Sequence, residues 1–151
     1  MKNLQELLAF VGLVVMVGVV AMHYGALPQV IPTHFDGAGV ANGWGDRSMV
    51  WFVVGIGCFM YGMMTLASFF PSLISMPVSR ERMVAAQPIA IEMIGWVKVE
   101  AVWVFAWISW MTVSVALGRS TGLGVWFLPV TTVAIFGTLG FYLWRILKVQ
   151  I

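Results

Sequence analysis

Residues 27–47 read LPQVIPTHFDGAGVANGWGDR, and they separate two long apolar runs. The segment holds one of the two histidines, two of the six acids and four glycines. The runs on either side decide the fold. A bilayer core of about 30 Å takes roughly 20 apolar residues of helix, and Leu7–Ala26 and Ser48–Phe70 each provide such a window with no Asp, Glu, Lys or Arg. Ile94–Leu117 has the right length but carries Lys98 and Glu100 near its start, and Val125–Trp144 is a fourth uncharged window. Composition agrees, since 61% of the chain is apolar and 9% charged, against about 25% charged in a soluble domain. The expected fold class is an all-α membrane protein, a single domain over residues 1–151 with four transmembrane helices. The spans fall near 7–26, 48–70, 94–117 and 125–147, with an ordered extracytoplasmic loop at 27–47 and a cytoplasmic loop at 71–87.

Lys and Arg collect in short loops on the cytoplasmic side of a membrane protein. Four spans put Lys2, Arg80, Arg82, Lys98, Arg145 and Lys148 on one side and only Arg47 and Arg119 on the other. Both termini are therefore expected in the cytoplasm of a cell bounded by an inner membrane. The first apolar run exceeds the roughly 7–15 residues of a signal peptide, and Met22, His23 and Tyr24 suit no cleavage site, so it reads as a retained anchor. Cys58 stands alone, which leaves no disulfide or zinc framework within one chain. The net charge of +2, with its basic residues scattered, implies no nucleic-acid partner.

Backbone polar groups in a bilayer need internal partners, so a helical bundle follows. Gly18, Ala21 and Gly25 on the first span, and Ala134, Gly137 and Gly140 on the fourth, have the spacing of close-packing seams, although glycine is also simply frequent in membrane helices. Pro88 fits the first turn of a helix running to Leu117, whose early turns would bring Glu92, Lys98 and Glu100 to water or headgroups. Glu92, Trp96, Glu100, Trp103, Trp107 and Trp110 recur at steps of three or four and so share one broad face. Arg145 falls at a depth similar to Glu100, and an ion pair between them is the structural expectation, with headgroup contact or a proton relay through Glu100 as alternatives. The eight tryptophans and eleven methionines read as interfacial anchors and packing, so no cofactor is expected.

In the loop, Pro28 and Pro32 bias Leu27 and Ile31 toward extended conformations, so LPQVIPTHF reads as strand-like. The turn signals are DGAG, where Asp36 can bond amides ahead of it and Gly37 or Gly39 can take positive φ, and NGWG, with Gly43 and Gly45. The result would be a compact cap that Val30, Ile31, Phe35 and Trp44 pack onto the bundle mouth or into the headgroup layer. His34 and Asp36 point to one face of an extended segment. They make half a metal site that His23 and Asp46 would complete; alternatively His34 fixes the loop by a hydrogen bond, contacts a partner or senses pH. No nucleophile with a base in reach, no paired carboxylates and no phosphate-cradling loop point to an enzyme.

Leu27, Pro28, Ile31, Pro32, His34, Phe35, Gly39, Trp44, Gly45 and Arg47 together resemble the signature of the SdpI-type immunity family, specifically its N-terminal membrane domain of unknown function. The resemblance covers about twenty residues of the chain. It implies a multi-span bacterial membrane protein related to proteins that give immunity to a secreted toxic peptide and signal to a repressor. The chain departs from the family pattern at Asn42, where an acid is frequent, and ends at Ile151 where full immunity proteins continue, so it resembles that domain standing alone.

The expected function is non-enzymatic: a lipid-embedded protein that recognises a toxic peptide or similar partner through Ile31, His34, Phe35, Asp36 and Trp44, with Pro28, Pro32, Gly37, Gly39, Gly43 and Gly45 shaping the loop. The alternatives are an accessory subunit docked on other membrane subunits, and a metal-handling or transport protein using His23, His34 and Asp36.

Overall fold

In the computed structural model, residues 2–70 and 79–149 are described. Residues 71–78 of the expected cytoplasmic loop therefore lie outside the described residues. Four α-helices, α1 (Lys2–His23), α2 (Val50–Phe69), α3 (Arg80–Ala116) and α4 (Phe127–Leu147), account for most of the chain, and two strands, β1 (Val30–Phe35) and β2 (Ala41–Asp46), form an antiparallel hairpin between α1 and α2. Three helical segments, Lys2–Ala26, Arg47–Phe69 and Phe127–Leu147, are long and apolar enough to cross a membrane. Their outward faces expose side chains such as Phe10, Val14, Phe52, Phe59, Val133 and Phe136. An apolar surface of that extent marks a non-aqueous environment or a partner.

α3 is the central element, packing on α1, α2, α4 and β1. Its contacts give the order of the helices. Gln5 donates to the Glu92 carbonyl at 3.1 Å while His23 meets Trp110 edge-on, so α1 and α3 run parallel. Thr65 opposes Lys98, and Gly57 lies against Phe105, so α2 is antiparallel to α3. Arg145 opposes Glu92 while Trp107 Nε1 donates to the Leu123 carbonyl just before α4, so α4 is antiparallel as well. The start of α1 and the end of α4 thus share one end of the bundle, and the hairpin occupies the other.

The helix ends follow local chemistry. α3 begins at Arg80, capped by the Ser79 hydroxyl, which accepts from the Arg82 amide at 3.4 Å. The stretch 80–87, expected as loop, is helical, and Pro88 sits inside the helix rather than in its first turn. The missing Pro88 amide forgoes one helical hydrogen bond, and Ala86 and Ala90 on either side of it pack against Ile146. At 37 residues α3 spans roughly 55 Å. It ends in a C-capping motif: the Arg119 amide donates to the Ser114 carbonyl, the Gly118 amide to Val115, and Gly118 takes φ +70°.

Close helix contacts use glycines other than the expected ones. A Cβ on Gly12 would press on Val102 and Trp103, and one on Gly57 would strike Met16. Gly18, Gly25, Gly137 and Gly140 meet nothing, so the two small-residue stripes are not seams within this chain. The core gathers Met16, Val20, Val50, Val54, Ala106 and Val113, and Ile31 of the hairpin is buried among them.

Candidate functional site

The hairpin is built by Asp36. Its Oδ1 accepts from the amides of Ala38 and Val40, both at 2.9 Å, and Gly39 takes φ +79° to close the turn. The DGAG stretch is thus the turn that Asp36 was expected to make. NGWG is not a turn but part of β2, where Asn42, Trp44 and Asp46 face outward. Gly43 and Gly45 serve close approach instead: a Cβ at Gly43 would lie 2.8 Å from the His34 Cβ, and one at Gly45 3.0 Å from Thr33 Cγ2. The pairing slips around Thr33, next to Pro32, which has no amide to give the ladder. Gly37 has open space around it and no positive φ, so the turn makes no demand on it.

The hairpin is closed at its base by one bond and held to the bundle at two places. Ile31 enters the core, Arg47 N donates to the Gln29 carbonyl at 3.0 Å, and Leu123 N donates to the Gly39 carbonyl at 2.7 Å. The last bond ties the hairpin tip to the α3–α4 turn, where Val40 and Gly122 form a bridge and a Cβ at Gly122 would collide with the Gly39 carbonyl. At the hairpin's exit Asp46 accepts from the Ser48 amide at 2.8 Å and from Gln29 at 2.9 Å, leading the chain into α2. These bonds, with Arg47 adjacent, hold the Asp46 carboxyl below its usual value.

The five residues expected to meet a partner divide accordingly. Ile31 is fully buried and belongs to the core, so it is corrected from contact residue to anchor. Asp36 spends its carboxylate on the turn. Phe35 is half-buried, leaving His34 and Trp44 on the surface. His34 Nδ1 is bonded to Asn42 Oδ1, so with the ring as donor there its Nε2 is left free. The metal set is also corrected: among the described residues no three His, Cys, Asp or Glu side chains gather into a metal-holding group. His23 Nδ1 is bonded to the Val19 carbonyl of its own helix at 2.9 Å, and its ring meets Trp110 rather than the hairpin acids.

A second constellation lies toward the terminal end. Lys98 is fully buried and its Nζ donates to Glu6 Oε1 at 2.6 Å and to Thr65 at 3.2 Å, with the Tyr61 ring 5.2 Å away. Lys98 was expected to reach water or headgroups; instead α1, α2 and α3 enclose it. Arg145 pairs with Glu92 at 3.0 Å and not with Glu100. The antiparallel register explains the correction, because it sets Arg145 two turns of α3 away from Glu100 and puts Thr138 opposite Glu100 instead. Thr138 donates to Glu100 Oε1, while Oε2 is buried with no partner among the described residues. The sequence signals for this pair were an acid, Glu6, just before the first apolar run and a cation, Lys98, near the start of the third.

Of the face expected for Glu92, Trp96, Glu100, Trp103, Trp107 and Trp110, the part from Glu92 to Trp107 borders α4, whereas Trp110 meets His23 of α1. A groove of about 560 Å³ between α3 and α4 is lined by Glu100, Trp103, Trp107, Val130 and Ala134 among others. A smaller recess of about 360 Å³ adjoins it through Glu100, with Trp96, Gly137, Thr138 and Tyr142.

This is a predominantly helical chain of membrane-protein type with a clamped two-stranded hairpin between its first two helices. A family model described as a domain of unknown function (DUF1648) matches residues 11–58, which run from α1 through the hairpin into α2. The match takes in the Pro, His and Gly loop and stops short of α3 and α4, and its description assigns no immunity role. No curated protein and no solved structure matches the chain.

Proposed function

We propose that the chain is a four-span protein of a bacterial inner membrane, with both termini cytoplasmic, that recognises a membrane-active peptide through its hairpin and catalyses no reaction. The observation that carries this reading is a hairpin closed at its base and tied to the bundle through Ile31 and the Gly39–Leu123 bond that still presents Trp44, 57% exposed, beside the His34–Asn42 pair. A rigid aromatic anchor next to adaptable polar groups is the composition of a binding surface. Val30 and Val40 extend it with apolar area suited to an amphipathic peptide lying in the headgroup layer. The charge balance supports the orientation, six basic residues on the terminal side against Arg47 and Arg119 on the hairpin side. The uncharged 101–116 half of α3 supports a fourth span, and the likeness of the loop to the SdpI-type domain supports immunity or sensing.

The test is protection. Bacteria expressing the chain are challenged with amphipathic membrane-active peptides, beside His34→Ala and Trp44→Ala variants whose membrane abundance is measured by immunoblot. Loss of protection at equal abundance supports the reading; protection indifferent to both substitutions overturns it.

An accessory-subunit reading is favoured by one observation: α4 buries only Tyr142 and Ile146, and its Gly137 and Gly140 face open space. Stoichiometric membrane subunits in a mild-detergent pull-down would support that role, and a chain recovered alone would remove it.

A further inference from the structure

The α3–α4 groove pairs an apolar wall with an incomplete carboxylate. Glu100 Oε1 is satisfied by Thr138, but Oε2 is buried without a partner among the described residues. The cations nearest along the two helices are engaged elsewhere: Lys98 turns to Glu6 across the α1–α2 side, and Arg145 holds Glu92. A buried ionised oxygen without a donor is costly. Glu100 also lies well inside the bundle, roughly 13 Å from the end of α4 judged by Thr138 at 1.5 Å per residue. Around it stand Trp96, Trp103 and Trp107, whose ring faces attract cations.

We infer that this groove binds a lipophilic monocation, an aryl or alkyl onium compound, with the positive centre against Glu100 and the apolar substituents between Trp103, Trp107, Val130 and Ala134. The volume of about 560 Å³ falls in the range of small-molecule sites, about 300–1,000 Å³. A neutral acyl chain would fill the same walls but leave Glu100 Oε2 without a partner. An anion of the same shape would meet the carboxylate with like charge. Gly137 lines the adjoining recess, where no side chain of its own stands beside Glu100. The groove's outer end reaches Leu123 and Gly124 of the turn that carries the hairpin tip, but neither Glu100 nor Ala134 belongs to the hairpin, so substitutions there test the groove separately from the hairpin surface.

The experiment titrates the full-length purified protein in nanodiscs with tetraphenylphosphonium and, separately, with tetraphenylborate, its counterpart of similar shape and opposite charge. Binding is read by tryptophan fluorescence and calorimetry and corrected for protein-free discs. The expected result is saturable cation binding, no saturable anion binding, at least a tenfold weaker Kd for Glu100→Gln, and loss of binding for Ala134→Trp, which fills the groove. Retention of the wild-type thermal midpoint certifies each variant. If Glu100→Gln does not fold, the cation–anion contrast and Ala134→Trp decide. Equal saturable binding of both ions, unchanged affinity in folded Glu100→Gln or Ala134→Trp, or no saturable cation binding overturns the inference.

Discussion

Lys98 Nζ lies 2.6 Å from Glu6 Oε1, and no solvent reaches the Lys98 side chain. The pair joins α1 to α3 at the terminal end. Removing one member of a buried pair leaves an uncompensated charge, which costs about 3–5 kcal/mol. Glu6→Gln is therefore expected to destabilise the protein by about that amount, somewhat less because Glu6 is 32% exposed. The double variant Glu6→Leu with Lys98→Met should recover most of the loss. Reversible unfolding in mixed micelles measures both, and a neutral Glu6→Gln would contradict the assignment.

The Arg145–Glu92 pair is more accessible, with the two side chains 36% and 21% exposed. Partly exposed pairs contribute about 0.2–1 kcal/mol. A double-mutant cycle on Glu92→Gln and Arg145→Met should show coupling in that range, and the same cycle on Glu100→Gln and Arg145→Met should show essentially none.

The hairpin's tie to the α3–α4 turn rests on backbone passing backbone at Gly39 and Gly122. Gly122→Ala has to displace the Gly39 carbonyl, and overpacking of that kind costs about 1–3 kcal/mol. Gly37→Ala meets open space and should be close to neutral. Amide hydrogen exchange at Leu123 separates the outcomes: protection lost in the first variant, kept in the second.

Asp46 supplies a pH dependence. Its carboxyl titrates below the ordinary aspartate range because the ionised form accepts from the Ser48 hydroxyl and amide. A depressed folded-state value means that the stabilisation is fully present above about pH 4 and is lost as pH falls through the folded value. Exchange at the Ser48 amide should accelerate relative to its intrinsic rate below pH 4, and Asp46→Asn should abolish that dependence.

The helices were legible because charge-free length is a property of sequence alone: Ser48–Phe70 contains all of α2, and Leu7–Ala26 contains α1 except its first five residues. The Asp36 turn was legible too, since an Asp–Gly sequence acts locally. Gly43 and Gly45 were not, because a glycine that turns the chain and a glycine that admits a neighbour look alike until His34 and Thr33 are seen opposite them. Pairing partners were misread for the same reason. Arg145 could be matched in depth with Glu100 or Glu92, and only the register of α4 on α3 selects Glu92. Lys98 drew attention as a charge near a membrane boundary, but its burial depends on Glu6 and Thr65 arriving from two other helices.

The orientation of the hairpin governs everything proposed for it, and site-directed labelling in intact cells tests that most directly. In a Cys58→Ser background, Asn42→Cys on the exposed face of β2 and Arg82→Cys in the first turn of α3 are treated with a membrane-impermeant maleimide. Labelling of position 42 in intact cells and of position 82 only after permeabilisation is the expected result. Labelling of position 82 in intact cells, or of position 42 only after permeabilisation, would contradict an outward-facing recognition hairpin.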